Sequence, residues 1–329
     1  MMLLNWNELI SEISSLNGKR IFITFHSVGD TDSVSSAFGL ASLFSKATIS
    51  SPDYITSNSK RILYAFGYDP SAISTDFPYK PDAIIMVDVN NYSDCGKFSE
   101  KLREYESKII VIDHHAPSND NLKGFNDEGY NSTASIVYKL LKALKTNPSE
   151  KLAALLAAGI ISDSAEFKNS TPDTFIQLGE LFKIAKTDYV KVHNLISNVG
   201  DVNGRLLTFE DLQNAHIEIY NDILVVTGIA HSHPNLAADN AIKCGVDLAL
   251  FYSVSDSEVS FSSRLRPTLD QKYGIHLGKI SQKLAYILEG SGGGHPCAAG
   301  AFGNRIESAD IFMEAFMNEI LHLIKGGSK

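Results

Sequence analysis

Cysteine is scarce in this sequence. Cys95, Cys244 and Cys297 are the three present; they are widely spaced, odd in number and form no Cys-x-x-Cys. A disulfide framework and a thiolate zinc site are therefore excluded. Positive charge is also in deficit, with 29 Lys and Arg against 38 Asp and Glu and a formal net charge of −9. That balance argues against a broad basic nucleic-acid-binding face and leaves room for a local basic groove. No apolar run approaches the roughly 20 residues that span a bilayer. Met1 to Leu16 mixes apolar residues with Asn5, Asn7, Glu8, Ser11 and Glu12 and has no signal-peptide core. The expected location is cytoplasmic, with no membrane partner. Internal repeats and low-complexity segments are missing too.

What is there is ordinary in bulk and unusual in detail. At 329 residues, 44% hydrophobic and 20% charged, the chain can bury two cores. Helical spacing of Trp6, Leu9, Ile10, Ile13 and Leu16 predicts a helix over 5–16. A buried strand over 20–25, a polar loop from His26 to Asp32 and a helix over 33–43, with Ser33 at its start, form a β–loop–α unit. A helix is expected at 58–66, strands at 83–87 and 109–112, and helices at 132–145, 149–161 and 172–196. Short apolar strands alternating with helices predict a doubly wound, mostly parallel α/β sheet. The segment 198–205, rich in Gly and Asn, is the expected linker. The domains are then 1–197 and 206–329. The second is smaller and mixed α/β, with strands at 223–229, 246–254 and 258–265 and helices at 234–243, 275–288 and 307–325.

Four segments of the first domain follow apolar stretches and carry ligand-type side chains: His26 with Asp30 and Asp32, then Asp88, then Asp113-His114-His115, then Asp163. Alone, an Asp after a strand reads as a cap or turn residue, and His26 as a core histidine. Four such loops, three of them at the carboxyl ends of strands in one sheet, point to a shared site. Carboxylates and imidazoles without thiolates suit Mn²⁺, Mg²⁺ or another hard or borderline divalent ion. There are enough ligands for two ions with one Asp left to bridge them, the arrangement that drives in-line displacement at phosphorus. So much negative charge is destabilising without metal, which links metal binding to local folding.

These motifs, in this order, resemble those of the DHH phosphoesterase superfamily over nearly the whole chain. The C-terminal run Gly292-Gly293-Gly294-His295-Pro296-Cys297-Ala298-Ala299-Gly300 is similar to the DHH-associated domain of its RecJ and oligoribonuclease (nano-RNase) branch. The resemblance implies one Mn²⁺ on His26, Asp30 and Asp88, and a second on Asp32, Asp88, His114 and Asp163. It implies a catalytic part for Asp113, which orients an imidazole, and for His115, which contacts the scissile phosphate or assists proton transfer. Two departures stand out. Val28-Gly29 replaces the family's Asn-Pro, and Asp30-Thr31-Asp32-Ser33 also resembles manganese-dependent inorganic pyrophosphatases.

In the second domain, consecutive Gly292, Gly293 and Gly294 allow close backbone approach to a ligand and, as a turn, an anion-binding concavity. Together with His295 they are the expected substrate-binding residues, with Arg264 as the phosphate-gripping fork and Arg266 as its alternative. His231-Ser232-His233 reads as a helix-start turn, His193 and His216 as helical packing or surface residues, and Cys297 as core filler. The expected activity is hydrolysis of short single-stranded RNA or DNA from an end, or of 3′-phosphoadenosine phosphate. The alternatives are a RecJ-type single-strand DNA exonuclease, a cyclic dinucleotide phosphodiesterase, an inorganic pyrophosphatase and an inactive replication-associated binding homologue. The site is expected between the two domains, and a homodimer is left open.

Overall fold

The computed structural model describes residues 2–78, 80–164, 167, 170–197, 202–255 and 257–326. The chain divides into two compact units, Met1–Asn198 and Val199–Lys329. The first unit runs β1 (Met2–Leu3), α1 (Trp6–Ser15), β2 (Ile21–Thr24), β3 (Val28–Gly29), α2 (Thr31–Ala41), β4 (Ala47–Ile49), β5 (Tyr54–Ile55) and α3 (Ser57–Ala65). It continues with β6 (Ala83–Val87), α4 (Ser99–Arg103), β7 (Ile109–Asp113), β8 (Lys123–Asn126), α5 (Thr133–Ala143), α6 (Glu150–Asp163), α7 (Pro172–Ala185) and α8 (Tyr189–Ile196).

Six of its strands form one sheet in the order β1-β8-β7-β6-β2-β4, and every neighbouring pair is parallel. The period of two along each strand sorts side chains onto two buried faces. Ile21, Ile23, Ile85, Val87, Ile110 and Ile112 join one core with α1, α2, α5 and α6. Phe22, Ile84, Met86, Ile109 and Val111 join the other with Tyr92, Cys95, Phe98 and Leu102. Burial on both faces explains why these strands read as unbroken apolar runs.

The second unit contains α9 (Val202–Gln213), β9 (His216–Tyr220), β10 (Ile223–Ile229), α10 (Pro234–Lys243), β11 (Leu248–Val254), β12 (Val259–Leu265) and α11 (Leu269–Tyr273). It ends with α12 (Leu277–Leu284), β13 (Gly290–Gly294), β14 (Ala298–Gly303) and α13 (Ala309–Gly326). Its sheet, β13-β14-β12-β11-β10-β9, is mixed: β10 and β11 are parallel and the other pairs antiparallel. Among the described residues no helix is long and apolar enough to cross a membrane.

Several expectations need correction. Helix α2 begins at Thr31, two residues before Ser33, because the Asp30 carboxylate accepts from the Ser33 amide at 2.9 Å and caps the helix. The helix expected over 172–196 is two helices, broken where Lys186 turns left-handed and Asp188 caps α8. Residues 198–201 of the expected linker lie outside the described residues, and Val202 to Arg205 are helical. His216 starts strand β9. Gly292–Gly294 form an edge strand paired with Ala299–Ala301, because hydrogen bonds from β14 override the poor strand propensity of glycine.

Candidate metal centre

Parallel strands present their carboxyl ends on one edge, and β7, β6 and β2 are consecutive neighbours in the sheet. His26 therefore follows β2, Asp88 follows β6, and Asp113 ends β7 just ahead of His114 and His115. Asp30 and Asp32 arrive at the start of α2. Asp163 was expected in a loop but is the last residue of α6, whose C-terminal turn delivers it. All six expected metal ligands meet there.

They form two groups that share one carboxylate. His26 Nε2 is 3.5 Å from Asp88 Oδ2 and 3.7 Å from Asp30 Oδ2. His114 Nε2 is 3.5 Å from Asp88 Oδ1, 3.1 Å from Asp163 Oδ2 and 4.0 Å from Asp32 Oδ2. Ligands about 2.1 Å from a divalent ion stand about 3.0 Å apart at a right angle and about 4.2 Å apart in line. The observed spacings fall in that window. The Asp88 backbone has φ of 58°, a left-handed turn that costs roughly 1–2 kcal/mol for a side-chain-bearing residue.

His114 supplies the test of fit. Its Nδ1 lies 3.2 Å from the Tyr130 carbonyl and donates to it, which leaves Nε2 as the inward atom. That Nε2 is buried without a hydrogen-bond partner, although three carboxylates surround it. An orphaned imidazole nitrogen aimed at carboxylates, with its other nitrogen held by a backbone oxygen, is what a divalent cation requires.

Charge crowding shows in the titration of these groups. Burial alone would lower the His26 pKa, but hydrogen bonds to Asp30 and Asp88 overcome it and push it to about 10. Burial likewise opposes protonation of His114, and Asp163 and Asp88 raise it to about 9. Asp32 is pushed well above the carboxylate range, first by burial and then by Asp88, Asp163 and Asp30. Burial also raises Asp88, against the pull of His26. These upward shifts favour the protonated forms of His26, His114, Asp32 and Asp88, while Asp30, which burial would raise, is held below its ordinary value by His26.

Asp113 has a different part. Its side chain is fully buried, and Oδ1 accepts from His115 Nδ1 at 2.8 Å and from the His114 amide at 2.8 Å. Burial would raise its pKa, yet the His115 hydrogen bond and charge hold it below the usual value. The same bond raises His115, whose half-exposed ring keeps Nε2 for other partners. Sequence reasoning missed three further groups. The Thr133 and Ala134 amides at the start of α5 donate to the two Asp32 oxygens at 2.7 and 2.8 Å. Thr133 Oγ1 donates to Asp88 Oδ1 at 3.0 Å. Asn90 Nδ2 donates to Asp113 Oδ2 at 2.6 Å. Ser132-Thr133 signalled a helix start, but nothing local tied it to Asp32.

The second unit holds a separate hollow of about 390 Å³. Pro234, Ser260, Ser262, Arg264, Gly293 and Gly300 line it. Gly293 has open space where a Cβ would stand. Gly294 has φ of 134°, and a Cβ there would come within 2.4 Å of the Ala298 carbonyl oxygen. Gly292 lies against Ser281 instead, and exposed His295 is bound through its backbone to Ala298. Arg264 borders the hollow and is already engaged, by Asp239 at 2.6 Å and by Ser262 Oγ at 3.1 Å. Arg266 is tied to Asp247 and the Gly245 carbonyl. Burial and Asp270 push the Cys297 thiol up to about 11, which leaves it a poor nucleophile. His231, which has no acid close by in sequence, pairs with buried Asp211 at 2.6 Å.

Known proteins fit this picture. Residues 20–160 match the DHH family, N-terminal domain, and residues 231–324 match the DHHA1 domain. An uncharacterized protein of Methanocaldococcus jannaschii is 27% identical over 314 residues, 92% of each chain. A probable manganese-dependent inorganic pyrophosphatase of Streptococcus equi subsp. zooepidemicus is 22% identical over 78% of this chain and 99% of its own. An exopolyphosphatase-related protein of Bacteroides fragilis superposes with a TM-score of 0.77 at 17% identity, over 97% of this chain and 99% of that one. The chain belongs to the DHH phosphoesterase superfamily.

Proposed function

We propose that this DHH-family phosphoesterase uses two divalent ions, Mn²⁺ by preference, to hydrolyse short single-stranded oligonucleotides from an end, or 3′-phosphoadenosine phosphate. The observation that carries the reading is Asp88, whose two oxygens face two different ligand groups. His26, Asp30 and Asp88 would hold one ion, and Asp32, Asp88, His114 and Asp163 the other. When bound, such ions supply positive charge at the phosphoryl group and lower the pKa of the attacking water. The chain's own residues orient the reactants. Asp113 holds the His115 ring so that Nε2 can donate to the phosphate. Hydrolysis consumes one water: the attacking oxygen loses a proton and the leaving oxygen gains one.

The second unit supports a small substrate. Its hollow is lined mostly by glycine, alanine and serine, with Pro234, Asn235 and Phe261, and is bordered by one arginine, which suits a single terminal phosphate. Processive binding to long nucleic acid relies on many phosphate contacts, and the net charge of −9 does not favour it. Hydrolysis of an oligonucleotide length series with Mn²⁺, beside cyclic di-AMP and pyrophosphate, tests the proposal. Preference for chains of a few nucleotides is expected. Equal turnover of very long chains would remove the short-substrate reading.

A second reading is inorganic pyrophosphatase activity, favoured by the Streptococcus equi likeness and by Asp30-Thr31-Asp32-Ser33. Against it, residues 231–324 match the DHHA1 domain, which carries the glycine strand. Rapid pyrophosphate turnover without nucleotide release would establish it.

A further inference from the structure

We propose that Asn90 is a positioning residue that acts through Asp113 to fix the ring of His115. The inference rests on the reading of His115 as the group that meets the phosphate.

Asn90 lies two residues past Asp88, on the segment leaving β6, and is 3% exposed. Its Nδ2 donates to Asp113 Oδ2 at 2.6 Å and to the Ala116 carbonyl at 3.0 Å, and faces Asn126 Oδ1 at 3.4 Å. Three oxygens around one amide nitrogen fix its orientation, since a flipped amide would set oxygen against all three. An amide nitrogen has two hydrogens. The two nearest acceptors, Asp113 and Ala116, stand on either side of the His114–His115 corner, so one side chain brackets it.

Asp113 depends on that bracket. Its Oδ1 serves His115 Nδ1 and the amides of His114 and His115, while Oδ2 has Asn90 as its donor. Without Asn90, a buried carboxylate oxygen is left unsatisfied, and the carboxylate is free to rotate and carry the His115 ring with it. Two more bonds hold the frame. Ser118 Oγ donates to the Asn90 carbonyl, and Asn126 Nδ2 donates to the His115 carbonyl, each at 2.5 Å. The Asn90 side chain makes no hydrogen bond to the side chain of His26, Asp30, Asp32, Asp88, His114 or Asp163. Through Asp113 it reaches the backbone amide of His114 and the ring of His115, and the ring is the part that the carboxylate alone orients.

That separation is measurable. Asn90→Ala, His115→Gln and the double variant are assayed for kcat and KM on a single-stranded RNA trinucleotide and on bis(p-nitrophenyl) phosphate. Mn²⁺ affinity is measured alongside by calorimetry. Asn90→Ala is expected to lower kcat by about 10–100-fold while KM and Mn²⁺ affinity move by less than about threefold. The double variant should be no slower than His115→Gln alone. Asn90→Ser, which keeps one donor, should recover part of kcat and provides a folded variant if the alanine protein unfolds. A multiplicative loss in the double variant, or a loss of Mn²⁺ affinity matching the loss of rate, overturns the inference. So does an impaired His115→Gln beside an unimpaired Asn90→Ala. Full activity in His115→Gln overturns the reading of His115 itself, and with it the inference.

Discussion

The first unit holds His114, Asp32, Asp88 and Asp113 each with a second group, whereas most residues lining the hollow of the second unit are glycine, alanine or serine. His114 is pinned by a carbonyl, Asp32 by two amides, Asp88 by a hydroxyl and Asp113 by four donors. Gly293 and Gly300 line the hollow of the second unit, and Arg264 is the one charged side chain among its lining. A site of the first kind tolerates little change, because each atom has a fixed task. One of the second kind can be reshaped by adding a single carbon. Under the proposed function, chemistry falls to the first unit and choice of substrate to the second.

The sharpest test of that division is Asp88→Ala. It removes the carboxylate common to both ligand groups, and hydrolysis should fall by at least about 10³-fold with loss of metal binding. Steady-state rates and a Mn²⁺ titration check it. Retained hydrolysis would break the assignment of chemistry to this unit.

Chelation combined with pH comes next. His26 at about 10 and His114 at about 9 lie above their ordinary value of 6.5, and burial raises Asp32 and Asp88 as well. All four bind protons more tightly folded than unfolded, so each contributes stability at low pH that is lost as pH rises through its folded pKa. For the two histidines that window runs from 6.5 up to about 9 and about 10. Urea unfolding of chelator-treated protein should therefore weaken from pH 6 to pH 10 by an amount on the order of a few kcal/mol. Saturating Mn²⁺ should flatten the profile by taking the place of the protons. A profile unchanged by metal would count against the cluster as a cation site.

Changes in the second unit should act on binding and leave the metal centre intact. Arg264→Ala is expected to raise KM by about tenfold, the worth of one charge-assisted contact to phosphate, with Mn²⁺ affinity unchanged. Gly294→Ala should destabilise the fold by about 1–3 kcal/mol, because φ is positive there and a Cβ meets a carbonyl oxygen. Gly293→Ala should be the mildest. Its Cβ would stand in open space, so thermal stability should hold while KM shifts a few-fold. If Gly293→Ala changes kcat and leaves KM alone, the division of labour fails.

Much of the first unit was legible because its strands are buried on both faces. Ala83–Val87 and residues 109–112 are continuous apolar runs, and their ends mark where Asp88 and Asp113 must lie. Pro234 and Lys243 bound α10 as sequence rules expect. What escaped depends on distance in the chain. Strands β1, β3 and β5 have two residues each, too short to show a period. The glycine strand is held by hydrogen bonds to β14, which its composition argues against. Asn90, Thr133 and the Tyr130 carbonyl meet the site across sequence gaps of 23, 45 and 16 residues. The ligand types could be listed from the sequence, but the groups that aim them became visible only when the chain was folded.

The helix ends around the ligand groups also set a direction in the field. Asp30 caps the N-terminus of α2 and Asp32 accepts from the N-terminus of α5, so two positive helix poles stand against these carboxylates. Asp163 closes the C-terminus of α6, where the negative pole adds to its charge. The acids are therefore not electrically equal. Around His114, a carboxylate braced by a positive helix pole, Asp32, therefore shares one ligand group with a carboxylate at a negative pole, Asp163, so the charge that favours a cation is stronger on the Asp163 side of that group.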